Sequence, residues 1–205
     1  MTLAAGGVIK DADVQEVLEC WAFGSQRRVQ ALSRAEATPF GAGSDAIGLT
    51  HEMGIAKLTW KAPALFELLM RWLRQDERYE HFPANAIQLN KNVTTMEHRD
   101  GNNLGPSVIK AIGDFAGGRM LYWENDDGTM PVDKLKLWEE PKVLDVSDFT
   151  GVDGRKVHGT EAFTGIRYSL VFYCALQSFV VPWVTKEQLV YWGAVWPTED
   201  PGNFQ

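Results

Sequence analysis

The sequence predicts a mainly β fold with flanking helices, and three observations point to it. Short alternating runs punctuated by glycine turns recur between residues 86 and 174. Two stretches before them carry a helical period instead. The chain has 205 residues, 45% hydrophobic and 23% charged, enough for one compact domain without disulfides or oligomerisation. Many short strands joined by such turns imply a barrel or sandwich, read as one domain over residues 1–205, with a helical buttress at about 11–80 and a core at about 84–181.

The elements follow in order. Val14, Val17, Leu18 and Trp21 fall at i, i+3, i+4 and i+7, the stripe of an amphipathic helix starting near Asp11 or Asp13. Residues 33–44, with Pro39, Gly41 and Gly43, read as loop. Residues 45–50 and 54–60 read as two strands around a turn at His51. Pro63 suits the first turn of a helix whose stripe is Leu65, Phe66, Leu69, Trp72 and Leu73. Residues 86–93 alternate and place Gln88, Asn90 and Asn92 on one face, where buried amides need partners. Asn102-Asn103-Leu104-Gly105 reads as turn chemistry. Residues 108–114, 119–123, 135–144 and 166–174 read as further strands, with a turn at Asp126-Asp127-Gly128. Gly117-Gly118 reads as a structural bulge or close approach. Thr185-Lys186-Glu187-Gln188 matches a capping box, opening a helix over about 185–193 that ends near Gly193. The tail at 197–205 reads as loosely ordered.

The formal net charge of −7 argues against a surface built to track a polyanion, because nucleic-acid affinity comes largely from Lys and Arg neutralising phosphates. Arg27, Arg28, Arg71 and Arg74 read as solvated helix faces. Cys20 and Cys174, the two cysteines, fit an intracellular chain, cytoplasmic or nuclear, rather than a disulfide framework. No run approaches the ~20 apolar residues of a membrane span. The oligomeric state is not legible.

The chemistry concentrates in a few residues. His98 and Asp100 stand two apart at a strand-to-turn junction, which aims an imidazole and a carboxylate at one point. A facial triad for non-haem Fe(II) needs one more imidazole and open positions opposite. Of the four histidines, His51 and His81 read as surface residues in or beside turns, and His158 is the candidate third ligand. Arg167 and Ser169 share a strand face, and a planar guanidinium with a neighbouring hydroxyl suits a carboxylate. Asn90 and Asn92 are candidates for co-substrate or substrate contacts.

Together, His98-x-Asp100, His158 and Arg167-x-Ser169 resemble the motif set of the Fe(II)/2-oxoglutarate-dependent dioxygenases, over about residues 86–173. Within that superfamily, residues 100–107, 113–118 and 153–158 look most like the TET and base-J-binding-protein class, which oxidises methyl groups on nucleobases. The resemblance implies a double-stranded β-helix, a cupin-like jelly-roll barrel. It implies that His98, Asp100 and His158 bind Fe(II), that Arg167 and Ser169 hold the distal carboxylate of 2-oxoglutarate, and that O2 is the second co-substrate. The implied reaction hydroxylates a substrate C–H bond, the methyl of 5-methylcytosine or thymine in nucleic acid. A base taken from a duplex needs a phosphate clamp, which is not evident, and a stacking aromatic, for which Phe163, Tyr122 and Trp123 are candidates. Oxidation of a small metabolite or a peptide side chain, and a non-catalytic cupin-like binding module, are the alternatives.

Overall fold

The computed structural model describes residues 7–24 and 41–198. Arg27 and Arg28, most of the expected loop at 33–44 and the end of the expected tail lie outside these residues. Two antiparallel sheets form the body. The larger has the order β1-β2-β8-β3-β6 and the smaller β5-β4-β7. In chain order the strands are β1 (Gly43–Gly48), β2 (Ala86–Lys91), β3 (Asn103–Gly117), β4 (Met120–Tyr122), β5 (Lys142–Leu144), β6 (Thr150–Val152), β7 (His158–Thr160) and β8 (Phe163–Ala175). The helices are α1 (Asp11–Glu19), α2 (Lys57–Lys61), α3 (Pro63–Arg74), α4 (Val132–Trp138) and α5 (Trp183–Tyr191).

The large sheet divides its side chains between two environments, as a strand's period of two requires. On β8, Tyr168, Leu170 and Phe172 face the helices. They join Ile87 and Leu89 of β2 and Phe66, Leu69, Met70 and Leu73 of α3 in the main core, with Val14 and Leu18 of α1 closing one side. Leu69, Leu73, Leu170 and Phe172 have no exposed surface. Burial of each such side chain contributes about 1.5–3 kcal/mol. The opposite face meets the small sheet, where Ile109 and Ala111 of β3 pack with Met120 of β4, Leu144 of β5 and Val152 of β6. Arg167, Ser169 and Val171 point into the space between the sheets.

The long pair β3–β8 runs in register from Asn103↔Ala175 to Gly117↔Phe163, except for a bulge between Leu104 and Ser107. Gly105 and Pro106 fill the bulge. Gly105 adopts φ +76°, and Pro106 has no N–H to contribute to a ladder. Residues 102–105, read from sequence as a turn, are therefore strand from Asn103 onward, interrupted by this bulge.

Three other expectations change. Residues 54–60 hold an isolated bridge, Leu49↔Ile55, and then the short helix α2. The helical turn brings the buried Thr59 hydroxyl under the end of β1, where it accepts from the Gly48 amide at 2.7 Å. Residues 135–144 split into α4 and β5. Lys134-Leu135-Lys136-Leu137 alternates like a strand, but the helix buries Leu135 and packs Val132 against Trp123 and Val157, leaving Leu137 and Trp138 in solvent. Thr185 lies inside α5, whose first turn is received by the Pro182 carbonyl from Thr185 N (3.0 Å) and Lys186 N (3.2 Å). Proline's fixed φ sets that entry before any side-chain cap is needed.

No helix among the described residues is long and apolar enough to cross a membrane. Both cysteines are unpaired, and burial pushes the Cys174 thiol up to about 12.

Candidate metal centre

His98 and His158 form a single antiparallel bridge. His98 N donates to His158 O at 2.9 Å and His158 N donates to His98 O at 3.0 Å. Directly opposed residues in such a pair project their side chains to the same face, and the two imidazole rings stand 4.4 Å apart between centroids. Each ring is fixed in the same way. His98 Nδ1 lies 2.7 Å from Met96 O and His158 Nδ1 lies 2.8 Å from Lys156 O. A carbonyl accepts only, so each Nδ1 carries a proton, and in the neutral imidazole each Nε2 is then the atom with the lone pair.

Both Nε2 atoms face Asp100, His98 at 3.5 Å from Oδ1 and His158 at 3.9 Å from Oδ2. One potential ligand atom from each of the three residues lies within 4.8 Å of the others. Two lone-pair nitrogens and one carboxylate on a common face are the donor set of a 2-His-1-carboxylate site, and backbone carbonyls on the distal nitrogens are the usual support for such imidazoles. His51 and His81 are exposed and stand outside this cluster.

Two supporting residues escaped the sequence reading. Asn103 donates from Nδ2 to Asp100 Oδ2 at 3.0 Å and reaches Ser107 Oγ at 3.2 Å, so the first residue of β3 orients the carboxylate. Gly154 lies against this group, and a Cβ there would stand 3.0 Å from Asn103 Nδ2 and 3.1 Å from Asp100 Oδ2. The second is Asp126, read as part of a turn. Its carboxylate accepts from Arg99 Nε (2.7 Å) and Nη2 (2.6 Å), and from the Val157 amide at 2.7 Å. Arg99 sits between His98 and Asp100, and Val157 precedes His158. One buried carboxylate thus ties together the two segments that carry the ligands.

The hydrogen bonds from Arg99, with those from the Gly128 and Val157 amides, hold the Asp126 carboxyl down at about 2. A depressed carboxylate contributes stability above its unfolded pKa, and that contribution is lost as pH falls through the folded value. Wild-type protein is therefore expected to lose stability between about pH 4 and pH 2 through this group, and Asp126→Asn to show a flatter profile there. At neutral pH Asp126→Ala, which strands Arg99 and the Val157 amide, is expected to cost about 3 kcal/mol in urea denaturation. An Asp126→Ala midpoint equal to wild type would remove the brace from the account.

The cavity beside the triad is lined by Arg167, Ser169 and Asn90 as well as by His98, Asp100 and His158. Arg167 is 3% exposed. Its guanidinium lies 5.5 Å from the ring centres of both Phe115 and Phe163, its Nε has no hydrogen-bond partner, and no carboxylate pairs with it among the described residues. Burial pulls its pKa down to about 10, so it stays charged at neutral pH. Gly118, with φ +68°, makes room for this side chain, since a Cβ would stand 2.9 Å from Arg167 Cδ and Nε. Gly117 instead meets a backbone, the Ala162 carbonyl.

Asn90 accepts from Ser44 Oγ at 2.7 Å and donates to Ser169 Oγ at 3.4 Å, so it both lines the cavity and fixes the hydroxyl. Asn92 does not line it. In the left-handed region at φ +52°, it accepts from the Arg167 amide through Oδ1 at 2.9 Å and donates its own amide to Arg167 O at 2.7 Å. It holds the backbone of Arg167 rather than facing the cavity. The three stacking candidates lie outside the lining too. Phe163 covers Arg167, Trp123 is buried with Nε1 on Glu139 O, and the Tyr122 hydroxyl accepts from Asp153 N.

No family model matches this sequence, and no curated protein matches it. Solved structures do. An oxidoreductase of the 2OG-Fe(II) oxygenase family from Burkholderia pseudomallei is similar over 79% of this chain and 77% of its own, at 14% identity and a TM-score of 0.51. OsALKBH1 is similar over 81% and 94%, at 14% identity and a TM-score of 0.42. YcfD, a ribosomal oxygenase from Escherichia coli solved with cobalt and succinic acid, is similar over 54% and 28%, at 15% identity and a TM-score of 0.35. With the two facing antiparallel sheets, the first of these likenesses establishes the fold as the double-stranded β-helix, a cupin-like jelly roll.

Proposed function

We propose that this chain is an Fe(II)- and 2-oxoglutarate-dependent oxygenase that hydroxylates a substrate C–H bond. The observation that carries the reading is the buried, charged Arg167, without a carboxylate partner among the described residues, on the wall of the cavity that also holds His98, Asp100 and His158. A desolvated cation is costly unless an anion meets it. A dicarboxylate spanning from the metal to this guanidinium supplies that anion. His98, Asp100 and His158 hold the iron, Arg167 and Ser169 grip the far carboxylate, and Asn90 fixes the Ser169 hydroxyl. Bound iron supplies the oxidising chemistry, in which O2 converts the keto acid to succinate and CO2 and leaves one oxygen atom in the hydroxylated product. The protein's part is to orient both substrates and keep water from the reacting atoms.

The substrate that the TET and base-J-binding-protein likeness supports is the methyl group of a pyrimidine base, 5-methylcytosine or thymine. The charge of −7 favours such a base outside a long polyanion, or another small molecule, over a duplex. Purified protein given Fe(II), O2 and 2-oxoglutarate is expected to release succinate, and more of it when the substrate is present. Iron binding without succinate release under any substrate would support the non-catalytic cupin-like module instead. A mass gain of one oxygen on nucleosides digested from 5-methylcytosine or thymine oligonucleotides, against the same gain on a metabolite or a peptide, separates the substrate classes.

A further inference from the structure

The pairing of β3 leaves part of one edge open. Asn85 N donates to Tyr173 O at 3.1 Å and Asn92 N donates to Arg167 O at 2.7 Å, so the odd-numbered residues of β8 turn their backbone groups toward β2. The even-numbered ones serve β3, because the polar groups of a strand in an antiparallel sheet alternate between its two neighbours. Gly113 stands opposite Arg167, Phe115 opposite Gly165 and Gly117 opposite Phe163, so the N–H and C=O groups of these three β3 residues point away from β8. Ala111, in the same series, shows the direction: its N–H donates outward to Val146 O at 2.6 Å. β6 covers only residues 107–109 of this edge. Past Ala111 no strand pairs with it among the described residues, and the amides of Gly113, Phe115 and Gly117 have no partner among them.

This edge lies in a groove that shares no lining residue with the cavity at the triad. Asp11 and Gln15 of α1 border it, and so do Asp145 and Ser147. α1 belongs to the helix face of the large sheet and Val146 to the face that meets the small sheet, so the edge runs between the two. Most of the charge in the groove is spent. Arg119 pairs with Glu161 at 2.8 Å and Asp11 with Lys110 at 2.9 Å. Asp145 accepts from Ser147 N at 2.9 Å, but neither it nor Asp114, both exposed, forms an ion pair among the described residues. An open row of backbone donors and acceptors is matched by a second backbone in extended form, and two carboxylates beside it favour a cation. A second copy of this chain fits poorly, because its own α1 and residues 145–147 would enter the same space and set like carboxylates against each other.

We propose that the Gly113–Gly117 edge is a docking site for an extended segment of a partner protein, added as a strand beside β3 and carrying lysine or arginine toward Asp145 and Asp114. The occupant is a partner and not the molecule oxidised, since the groove and the triad cavity are separate. The assignment therefore stands whatever chemistry the metal centre performs.

The test uses the whole chain, labelled with 15N, and the peptide Lys-Val-Thr-Val-Lys-Val-Thr carrying fluorescein. In the free protein the Gly113, Phe115 and Gly117 amides are expected to exchange with D2O quickly, and those of Ile112 and Asp114, bonded to β8, slowly. The peptide is expected to bind by fluorescence anisotropy and to slow exchange at the three odd-numbered amides at least tenfold. N-methylation of alternate peptide amides, which removes donors and leaves the side chains, is expected to weaken binding about tenfold or more. Replacing the peptide lysines by glutamate is expected to do the same, as is Asp145→Lys in protein shown by circular dichroism to be folded. Slow exchange at the three amides in the free protein means that the edge is already covered and overturns the proposal, and slowing that rises with protein concentration alone assigns the edge to a second copy instead. No binding at millimolar peptide, binding without protection of these amides, or equal affinity for the N-methylated peptide overturns strand addition. Equal affinity for the lysine and glutamate peptides overturns the basic partner.

Discussion

Asp100→Ala is expected to abolish iron-dependent turnover while the protein stays folded. The carboxylate is the one anionic donor among the three, and the two imidazoles that remain give the metal an incomplete set. Loss of supporting residues around a metal already costs about 10–100-fold, so loss of a ligand is expected to cost on the order of 100-fold or more in metal affinity and in rate. The fold should persist because Asp100 is partly exposed and its backbone bond, Asp100 N to Gly154 O at 2.8 Å, needs no side chain. Asn103 retains Ser107 as a partner. Iron content after dialysis and succinate release per minute are the measurements, with a urea melt as control. Full iron content and wild-type turnover in the folded variant would show that the metal sits elsewhere.

The second large effect is at Arg167. Arg167→Lys keeps a cation but loses the planar fork, and the shorter donor set cannot grip a carboxylate through two parallel bonds. It also loses the flat group that lies against Phe115 and Phe163. The 2-oxoglutarate requirement is expected to rise by about 10–100-fold, from the ~1.5–3 kcal/mol of hydrogen bonds to a charged group. The effect should appear in the KM and Kd for 2-oxoglutarate, with iron affinity unchanged. An unaltered requirement would mean that Arg167 does not hold the co-substrate.

The candidate ligands were legible because their chemistry is local in type. An imidazole and a carboxylate two apart are a weak signal by themselves, and His158 with Arg167-x-Ser169, in the order of the resembled motif set, gave the group its weight. Their supports were not. Asn103 looks like any turn asparagine until the bulge at Gly105 and Pro106 sets it beside Asp100, and Asp126 looks like any Asp-Gly turn until the fold brings Arg99 and Val157 to it. The strand and helix outline from residue 63 to residue 74, and from 86 to 93, was equally clear, because long periodic runs outweigh local ambiguity. Residues 57–61 and 132–138 failed for the converse reason. A run of five to seven residues fits both periods, and the decision belonged to distant partners, the Gly48 amide in one case and Trp123 with Val157 in the other.

The placement of β8 has a consequence for how the molecule is made. It is the last described strand in chain order, yet it lies in the middle of the large sheet, with β2 on one side and β3 on the other. A growing chain that has not yet released residues 163–175 from the ribosome has two halves of a sheet with nothing between them, and His98 has met no His158 until residue 158 is out. The early strands must therefore wait, with their apolar faces against α1 and α3 and their inner edges open, conditions that favour help from a chaperone and slow, non-local closure. Assembly of the candidate ligand cluster waits on the same event, so His98, Asp100 and His158 come together only once residue 158 has left the ribosome.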